Sequence, residues 1–363
     1  MQGELQLAIV SPTLNERDNI APLLSALDRV LTGIAYEVIF VDDGSCDGTV
    51  ELVSAIGLTD RRVRVLARYG RRGLSSAVVE GMMATVAPVV VVIDADLQHD
   101  EAILPTLYRA VADGADLAVG TRYCPGGSVG EWDARRQRAS SFATRLARLA
   151  LKTPLNDPMS GFFAIRRDLV RELRPRLSTI GFKILLDLVA SAGRPLRIVE
   201  TPYTFRDRHA GDSKMGSAAV SEYLMLLVDK TLGRHLPTRL LMFFAVGGLG
   251  LFVHLATLRL SLAAGLAFQG AQALAVALAI LFNFTLNNLL TYRDRQLHGV
   301  RAFMRGLISF YLVCGLGAIA NVGVASFAFY QHHYGWWAAG VAGAIVGSVW
   351  NYAASSFITW RRR

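Results

Sequence analysis

The chain has 363 residues, of which 52% are hydrophobic and 18% are charged, and its formal net charge is +9 at pH 7. This composition excludes an intrinsically disordered chain, and three cysteines in such a length exclude a small disulfide-stapled protein. The mean hydropathy of +0.35 is also too high for an ordinary soluble enzyme.

Residues 5–93 alternate between short apolar runs and stretches with helical periodicity. The pattern predicts strands at 5–11, 36–41, 62–67 and 88–93, and helices at 16–31, 47–56 and 73–86. Ser45 or Asp47 is the predicted N-cap of the second helix. Strands that alternate with helices in this way form α/β domains with a mainly parallel sheet, which binds ligands at the carboxyl ends of its strands.

Acidic residues follow two of these predicted strands. Asp42 and Asp43 come after the second strand, and the run DADLQ (94–98) comes after the wholly apolar fourth strand. Carboxylates two residues apart at a strand end can converge on one ion, and oxygen ligands suit Mg²⁺ or Mn²⁺. We therefore expect Asp94 and Asp96 to form a metal site, with a solvated turn as the alternative.

A carboxylate of Asp42 or Asp43 is also a candidate for nucleoside recognition, because acids at strand ends accept hydrogen bonds from nucleobase N–H groups or ribose hydroxyls, as in dinucleotide-binding folds. Glu16, in the run PTLNE after the first strand, would reach the same nucleoside. A helix N-cap cluster is the alternative for Asp42 and Asp43. His99, a single histidine, is expected to be a surface or supporting group rather than a metal ligand.

Two later segments are amphipathic. Residues 139–152 place Phe142, Leu146 and Leu149 on one face and basic residues on the other, and residues 217–235 carry a second apolar stripe. Helices with this pattern lie in the membrane interface, so both segments are predicted to be interfacial. Packing against the core of the domain is the alternative.

Residues 237–363 hold almost all of the net positive charge, because they contain nine arginines and a single acid, Asp294. Four apolar runs, each long enough to cross a bilayer, are found at 240–262, 270–291, 306–329 and 336–360. The arginines bracket these runs instead of covering a soluble face. We therefore expect a lipid bilayer, and not nucleic acid, as the partner of this part of the chain.

The loops predict the topology. Lysines and arginines cluster before the first run, between the second and third, and at the chain end, whereas 263–269 and 330–335 contain none. The positive-inside rule then places both termini in the cytoplasm, and the predicted location is a prokaryotic plasma membrane. Met1–Gln6 lacks the basic start of a signal peptide, so residues 1–236 are predicted to form a cytosolic domain and 237–363 a membrane domain.

A sequence repeat ends the second and fourth apolar runs. NFTLNNLLTYRDR (283–295) and NYAASSFITWRRR (351–363) share Thr, an aromatic residue and Arg, which predicts two tandem two-helix units. Shared anchoring at the membrane interface is the alternative. Asparagines in or near the spans indicate either interhelical hydrogen bonds or a transport path; they are Asn283, Asn287, Asn288, Asn321 and Asn351.

Six motifs in order carry a resemblance to a known family: PTLNE, VDDGS, DADLQH, GTRY, DPMSGF and RDRHAGDSKMG. The chain resembles glycosyltransferase family 2, and most closely the dolichol-phosphate (polyprenol-phosphate) mannose synthases. Its C-terminal part resembles the GtrA-like four-helix membrane domain. The resemblance implies a GT-A (Rossmann-like) domain followed by a transmembrane domain, and metal-dependent transfer of one hexose from a nucleotide sugar to a polyprenyl monophosphate.

The resemblance also implies roles for individual residues. The implied nucleotide-sugar contacts are Pro12, Leu14, Glu16, Val41, Asp43, Asp94, Ala95, Arg208 and Lys214. The implied ligands of Mg²⁺ or Mn²⁺ are Asp94, Asp96 and Gln98. The implied acceptor-phosphate contacts are Arg122, Arg136 and Ser140, which together with Asp96 form the implied catalytic set. The family usually has an aromatic residue where Leu14 stands.

Several functions are open at this level. GDP-mannose is the predicted donor, with UDP-glucose or another UDP-sugar as the alternative. A processive polysaccharide synthase is disfavoured, because the sequence has no QxxRW-type motif near the spans. A lipid-linked sugar flippase with a regulatory N-terminal domain is an alternative of another class, based on the asparagines named above.

Overall fold

The computed structural model describes residues 4–70, 72–129, 143–148, 151, 154–179, 181–206, 217–231, 238–292, 295–331 and 336–361. The chain divides into two compact units, Met1–Thr231 and Leu232–Arg363.

The first unit is built on a seven-stranded mixed sheet within the described residues. The strands are β1 (Leu7–Thr13), β2 (Tyr36–Asp42), β3 (Val63–Ala67), β4 (Val89–Val92), β5 (Leu117–Thr121), β6 (Phe163–Arg166) and β7 (Ile198–Pro202). They are ordered β3-β2-β1-β4-β6-β5-β7. Only β6 among them is antiparallel to its neighbours, β4 and β5. The predicted α/β class with a mainly parallel sheet is therefore confirmed.

Helices cover both faces of this sheet. They are α1 (Arg17–Val30), α2 (Thr49–Thr59), α3 (Leu74–Met83), α4 (Leu104–Ala112), α5 (Arg167–Leu173), α6 (Ile184–Ser191) and α7 (Ser217–Thr231). Ala8 and Val10 pack in one hydrophobic cluster with α3, α5 and α6, and Leu7 and Ile9 pack in a second cluster with α1, α2 and α4. Alternate residues of a strand point to opposite faces, so strands buried on both faces have continuous apolar sequences.

The start of α2 differs from the prediction. Its N-cap is Gly48, whose φ of 87° lies in the left-handed region that glycine adopts without strain. Asp47 precedes the cap and accepts hydrogen bonds from the backbone N–H groups of Thr49 (3.0 Å) and Arg17 (3.1 Å). The prediction of Ser45 or Asp47 as the N-cap is therefore wrong by at least one position.

The two amphipathic segments pack against each other where they are described, namely at residues 143–148 and in α7. Ala147, Tyr223 and Leu226 are buried in one cluster with Met159 and Leu186. The hydroxyl of Tyr223 donates to the carbonyl of Ala143. These side chains pack inside the unit, whereas Leu146 of the predicted apolar face is only half-buried, and the interfacial role of the two segments stays a prediction. The rest of 139–152 and residues 232–235 lie outside the described residues, apart from Leu151.

A buried ion pair fixes α7 to α6. The Nζ atom of Lys230 lies 2.6 Å from Oδ1 of Asp187, and both side chains are almost inaccessible to solvent. Asp187 also accepts the backbone N–H groups of Ser178 (3.3 Å) and Thr179 (2.9 Å). Because the Asp187 carboxylate has several partners, these contacts offset the free-energy cost of removing its charge from water.

The second unit contains α8 (Thr238–Ala263), α9 (Phe268–Leu286), α10 (Val300–Tyr330) and α11 (Trp336–Ala354). Within the described residues, three helical segments are long and apolar enough to cross a membrane: Arg239–Ala263, Phe268–Thr291 and Val300–Val324. The fourth predicted span corresponds to α11 and a following π-helical turn, Ser355–Thr359. Four membrane crossings therefore remain a prediction.

The sequence repeat appears as a structural repeat. A π-helical turn follows α9 at Asn287–Thr291, as one follows α11. The next residues, Tyr292 and Trp360, stack with ring centroids 4.2 Å apart and planes at 5°. The indole N–H of Trp360 also donates to Oδ1 of Asn288 at 3.1 Å. This arrangement agrees with two tandem two-helix units.

The asparagines contribute to packing between helices. Asn287 accepts a 2.7 Å bond from Thr291, and Asn288 bonds both Trp360 and Leu297. The side chains of Asn283 and Asn351 lie against glycines of neighbouring helices, Gly250 and Gly317, where an added Cβ would lie 2.1 and 2.0 Å from the amide oxygen. Asn288 supports the prediction of interhelical hydrogen bonds, whereas Oδ1 of Asn283 and of Asn351 is buried without a hydrogen-bond partner among the described residues, so the role of these two stays a prediction.

Asp116 is expected to stabilise the first unit in a pH-dependent way. It accepts two 2.9 Å bonds from Arg194, one from Arg166 (3.0 Å) and one from the backbone of Arg197 (3.1 Å), and the bonds from Arg194 chiefly lower its pKa to about 2. The folded pKa is lower than the unfolded value. The contribution of ionised Asp116 to the free energy of unfolding is therefore complete above about pH 5, and it is lost as the pH falls towards 2.

We expect Asp116→Asn to destabilise β5 and β7 by about 2 kcal/mol at pH 7, because hydrogen bonds to a charged group are lost. Amide hydrogen exchange of the full chain in detergent measures the effect, and the difference from wild type should shrink below about pH 3. Asp168→Asn is the matched control, since Asp168 is 78% exposed and its pair with Arg171 is 3.9 Å long. An equal effect of both substitutions would contradict the assignment.

Candidate active site

The motifs singled out in the sequence meet at one edge of the sheet. β1 lies between β2 and β4 and is parallel to both, with Thr13 opposite Asp42. The carboxyl ends of the three strands therefore share an edge, and the loops after them carry PTLNE, DDGS and DADLQ. The predicted location of the ligand site at the strand ends agrees with this topology.

The two aspartates after β2 have different surroundings. Asp42 is fully buried and accepts the N–H groups of Gly44 (3.0 Å) and Ser45 (2.8 Å), which shapes the loop. Asp43 instead forms an ion pair with Arg68 and accepts the N–H of Gly73 at 2.7 Å. The helix N-cap alternative applies to neither residue, because Gly48 is the N-cap of α2. Asp42 shapes the loop, whereas Asp43 is held in place at the edge of the site.

Arg68 is a site residue that the sequence analysis missed. Its side chain is 2% exposed, and it donates to the hydroxyl of Ser76 at 2.6 Å and to the carbonyl of Gly73 at 3.2 Å, besides pairing with Asp43. Arg68 directly follows β3, the strand beside β2. Its place at the end of a neighbouring parallel strand is the signal that could have identified it.

The loops after β1 and β2 are bonded to each other. The backbone N–H of Asn15 donates to Ser45 Oγ (2.7 Å), and Asn15 Oδ1 accepts the N–H of Cys46 (2.9 Å). Pro12, Leu14 and Glu16 are half-buried along this loop.

Val41 and Ala95, which the resemblance assigns to the nucleotide pocket, have buried side chains that belong to the two hydrophobic clusters. A nucleotide would therefore meet only the main chain of these two residues.

The acidic motif turns sharply after β4. Leu97 has a φ of 60°, and the N–H of Gln98 donates to Oδ1 of Asp96 at 3.2 Å. Asp94 is partly exposed and Asp96 is buried. The described residues contain no group of three or more His, Cys, Asp or Glu side chains that would itself hold a metal. Two carboxylates and the amide of Gln98 nevertheless suit Mg²⁺ or Mn²⁺ when substrate phosphate and water supply the other oxygens.

His99 is buried beside this motif, so it is a supporting group and not a surface group. It stacks on Phe162 at a centroid distance of 5.0 Å, and its Nδ1 accepts the backbone N–H of Asp94 at 3.3 Å. Burial lowers its pKa to about 4, so the ring is neutral at pH 7. Because Nδ1 accepts, the proton is on Nε2, which lies 3.8 Å from Asp94 Oδ2. His99 thus orients Asp94.

Arg122 follows β5 and is clamped by Asp157 of the DPMSGF motif. Its Nε and Nη2 atoms donate to the two carboxylate oxygens at 2.7 and 2.9 Å, and Asp157 is fully buried. Tyr123 and Phe205 lie with their ring centroids 5.5 Å from the guanidinium. Burial opposes the charge of Arg122, but the hydrogen bonds and charge of Asp157 outweigh it and raise the pKa of Arg122. Asp157 was not among the predicted site residues.

The rest of DPMSGF reaches the acidic motif. Ser160 Oγ donates to the carbonyl of Gly120 at 2.7 Å. A Cβ on Gly161 would lie 3.3 Å from Oδ2 of Asp94, so the backbone passes close to this carboxylate. The segment 157–161 therefore joins the implied phosphate-binding arginine to an implied metal ligand.

Arg206 connects the acidic motif to the RDRHAGDSKMG segment. Its N–H donates to the carbonyl of Gln98 (2.9 Å), the amide of Gln98 donates to the carbonyl of Arg206 (3.1 Å), and its guanidinium pairs with Asp100 (2.5 Å) and Glu101 (2.7 Å). The roles of four implied site residues stay predictions, because they lie outside the described residues: Arg136, Ser140, Arg208 and Lys214.

Comparison with known proteins gives two family matches. Residues 8–174 match the model of glycosyl transferase family 2, and residues 242–360 match the GtrA/DPMS transmembrane domain. A solved structure of glucosyl-3-phosphoglycerate synthase from Mycobacterium tuberculosis, with Mn²⁺ and UDP-glucose, is similar at a TM-score of 0.48 and 20% identity, covering 63% of this chain and 80% of its own.

Curated relatives share the sequence more closely. Dolichol-phosphate mannosyltransferase from Pyrococcus furiosus is 34% identical over 98% of this chain and 99% of its own length. The protein of the same name from Saccharomyces cerevisiae is 36% identical over 62% of this chain and 86% of its own. Polyprenol monophosphomannose synthase from Mycolicibacterium smegmatis is 33% identical over 61% and 85%. This chain therefore belongs to the dolichol-phosphate mannosyltransferase family, as a family 2 glycosyltransferase domain joined to a GtrA/DPMS transmembrane domain.

Proposed function

We propose that this chain transfers one mannose from GDP-mannose to a polyprenyl monophosphate, giving a lipid-phosphate-linked sugar. The observation that carries the proposal is the meeting, at one edge of the sheet, of Asp43 held by Arg68, the acidic motif, and Arg122 held by Asp157. The similarity to the Pyrococcus furiosus mannosyltransferase over nearly the whole of both chains supports it.

The proposed reaction needs positioning more than base catalysis. A polyprenyl monophosphate is already an anionic nucleophile at neutral pH, so the site has to place its oxygen behind C1 of the sugar and exclude water. Arg122 is suited to this task because its charge is fixed in one orientation, and Arg136 and Ser140 would complete the phosphate site. Attack from the face opposite the leaving group inverts C1, giving a β-linked product from an α-linked donor.

The donor would lie across the ends of β1, β2 and β4. Asp43 would accept from the nucleoside, and Arg208 and Lys214 would hold the diphosphate. Asp94, Asp96 and Gln98 would hold Mg²⁺ or Mn²⁺, which when bound stabilises the charge that develops on the departing nucleoside diphosphate.

The GtrA/DPMS domain and its long apolar helices make the chain an integral membrane protein. We further propose four crossings with both termini in the cytoplasm, in a prokaryotic plasma membrane. This proposal rests on the distribution of arginines between the loops.

Asp96→Asn is expected to lower the transfer rate at least about 100-fold, because a metal ligand loses its charge. Membranes are incubated with labelled GDP-mannose or UDP-glucose, Mg²⁺ or Mn²⁺ and polyprenyl phosphate, and the labelled lipid is extracted. Asp113→Asn, at an exposed carboxylate, should keep full activity. Retained activity of Asp96→Asn would refute the metal assignment. Labelling from UDP-glucose alone would refute the proposed donor, and no labelling from any donor would refute the proposed function.

Asp43→Asn is expected to raise the KM for the donor about 10-fold to 100-fold and to leave the KM for the acceptor within about twofold, since a charged hydrogen-bond acceptor for the nucleoside is lost. Initial rates measured while each substrate is varied separate the two constants. Arg64→Gln serves as the control. It breaks the ion pair between Arg64 and Glu37, and the Arg64 side chain is 43% exposed. A parallel rise of both constants would indicate a general structural defect instead.

A further inference from the structure

Lys183 is a buried cation beside the candidate active site that none of the implied roles uses. It is the N-cap residue of α6, and its Nζ donates to the carbonyl of Met159 at 3.1 Å. Met159 belongs to the segment 157–161, which is also bonded to Arg122 through Asp157 and to Gly120 through Ser160. Lys183 and Arg122 therefore both form hydrogen bonds to segment 157–161.

The two cations beside this segment differ in their partners. Arg122 has a fully buried carboxylate, Asp157, as its partner. Within the described part of the chain, no carboxylate lies within 4.0 Å of Nζ of Lys183, whose observed contacts are the neutral carbonyl of Met159 and the ring of Phe182, with a centroid 4.5 Å away. In that part of the chain, Lys183 thus has only more distant carboxylates, Asp157 and Asp94, as compensating charges, and neither contacts its ammonium.

Burial, and secondly the charge of Arg122, lower the pKa of Lys183 to about 8, while Asp157 and Asp94 act in the opposite direction. A buried ammonium without a carboxylate partner is costly, and the cost is removed when an anion enters beside it. The residue as a whole is half-buried.

We infer that Lys183 is a further binding residue for the acceptor, and that its ammonium holds the polyprenyl monophosphate together with Arg122. The inference rests on the proposed function, since the anion is the acceptor of that reaction. The donor diphosphate is the competing ligand, because Gly161 of the same segment lies close to Asp94, and separate KM values for donor and acceptor decide between the two. A purely structural role, in which Lys183 only fixes the carbonyl of Met159, is the competing explanation.

Lys183→Gln separates these two roles. Glutamine keeps an N–H donor for Met159 and loses the positive charge. We expect it to raise the KM for polyprenyl phosphate at least about tenfold, with the KM for GDP-mannose within twofold, while Lys183→Arg restores most of the affinity. Lys230→Met is the matched control, because this lysine is also buried but pairs with Asp187. It should lower stability and leave the KM for the acceptor unchanged.

A binding measurement makes the result independent of turnover. The full-length chain in detergent is titrated with a short-chain polyprenyl phosphate and with the matching polyprenol. Wild type should prefer the phosphate at least about tenfold, and Lys183→Gln should lose most of this preference.

The inference is overturned if Lys183→Gln keeps the wild-type KM and phosphate preference, or if the donor KM rises instead of the acceptor KM. If Lys183→Gln does not fold, a Lys183→Arg variant that folds but shows no phosphate preference would also overturn it. Absence of labelled lipid from the wild type with every donor would be a failure of the proposed function, and the binding arm would still decide the role of Lys183.

Discussion

The buried ion pair between Arg122 and Asp157 is the interaction on which the candidate site depends. Removing two charges from water is costly, and here two short hydrogen bonds between the guanidinium and the carboxylate offset that cost. Loss of either partner would leave an uncompensated buried charge, which costs about 3–5 kcal/mol. The pair joins the end of β5 to segment 157–161, and through Gly161 it sets the surroundings of Asp94.

The same principle is used at the other end of the site. Asp43 is held by the N–H of Gly73 and by Arg68, which is itself held by Ser76 and the carbonyl of Gly73. In both pairs a buried arginine fixes one charged group in a single orientation before any substrate arrives. Prearranged charges of this kind stabilise charge that develops during a reaction without a cost of reorganisation. His99, neutral and buried, does the same for the backbone of Asp94.

In the described part of the second unit, stacked aromatic rings and close contacts at glycines hold the helices together. Tyr292 and Trp360 stack at equivalent positions of the two repeats, and Gly250 and Gly317 receive asparagine side chains. Close contact of this kind is the expected source of stability among apolar helices, because lipid offers no hydrophobic drive for their association. Asn283 and Asn351 contribute to this close packing, and a transport role for the asparagines stays a prediction.

The sequence by itself determined the α/β class, the order of strands and helices up to β4, the acidic motif at a strand end, and the apolar C-terminal helices with their repeat. These features depend on local periodicity and on residues close in the chain. The tertiary structure alone decided that Arg68 holds Asp43, that Asp157 holds Arg122, that Lys183 lies beside them, and that the face of Tyr223 packs inside its unit. The partners in these contacts are far apart in the sequence, and only the folded sheet and the helices packed on it bring them together, because no local pattern specifies which buried charges will meet.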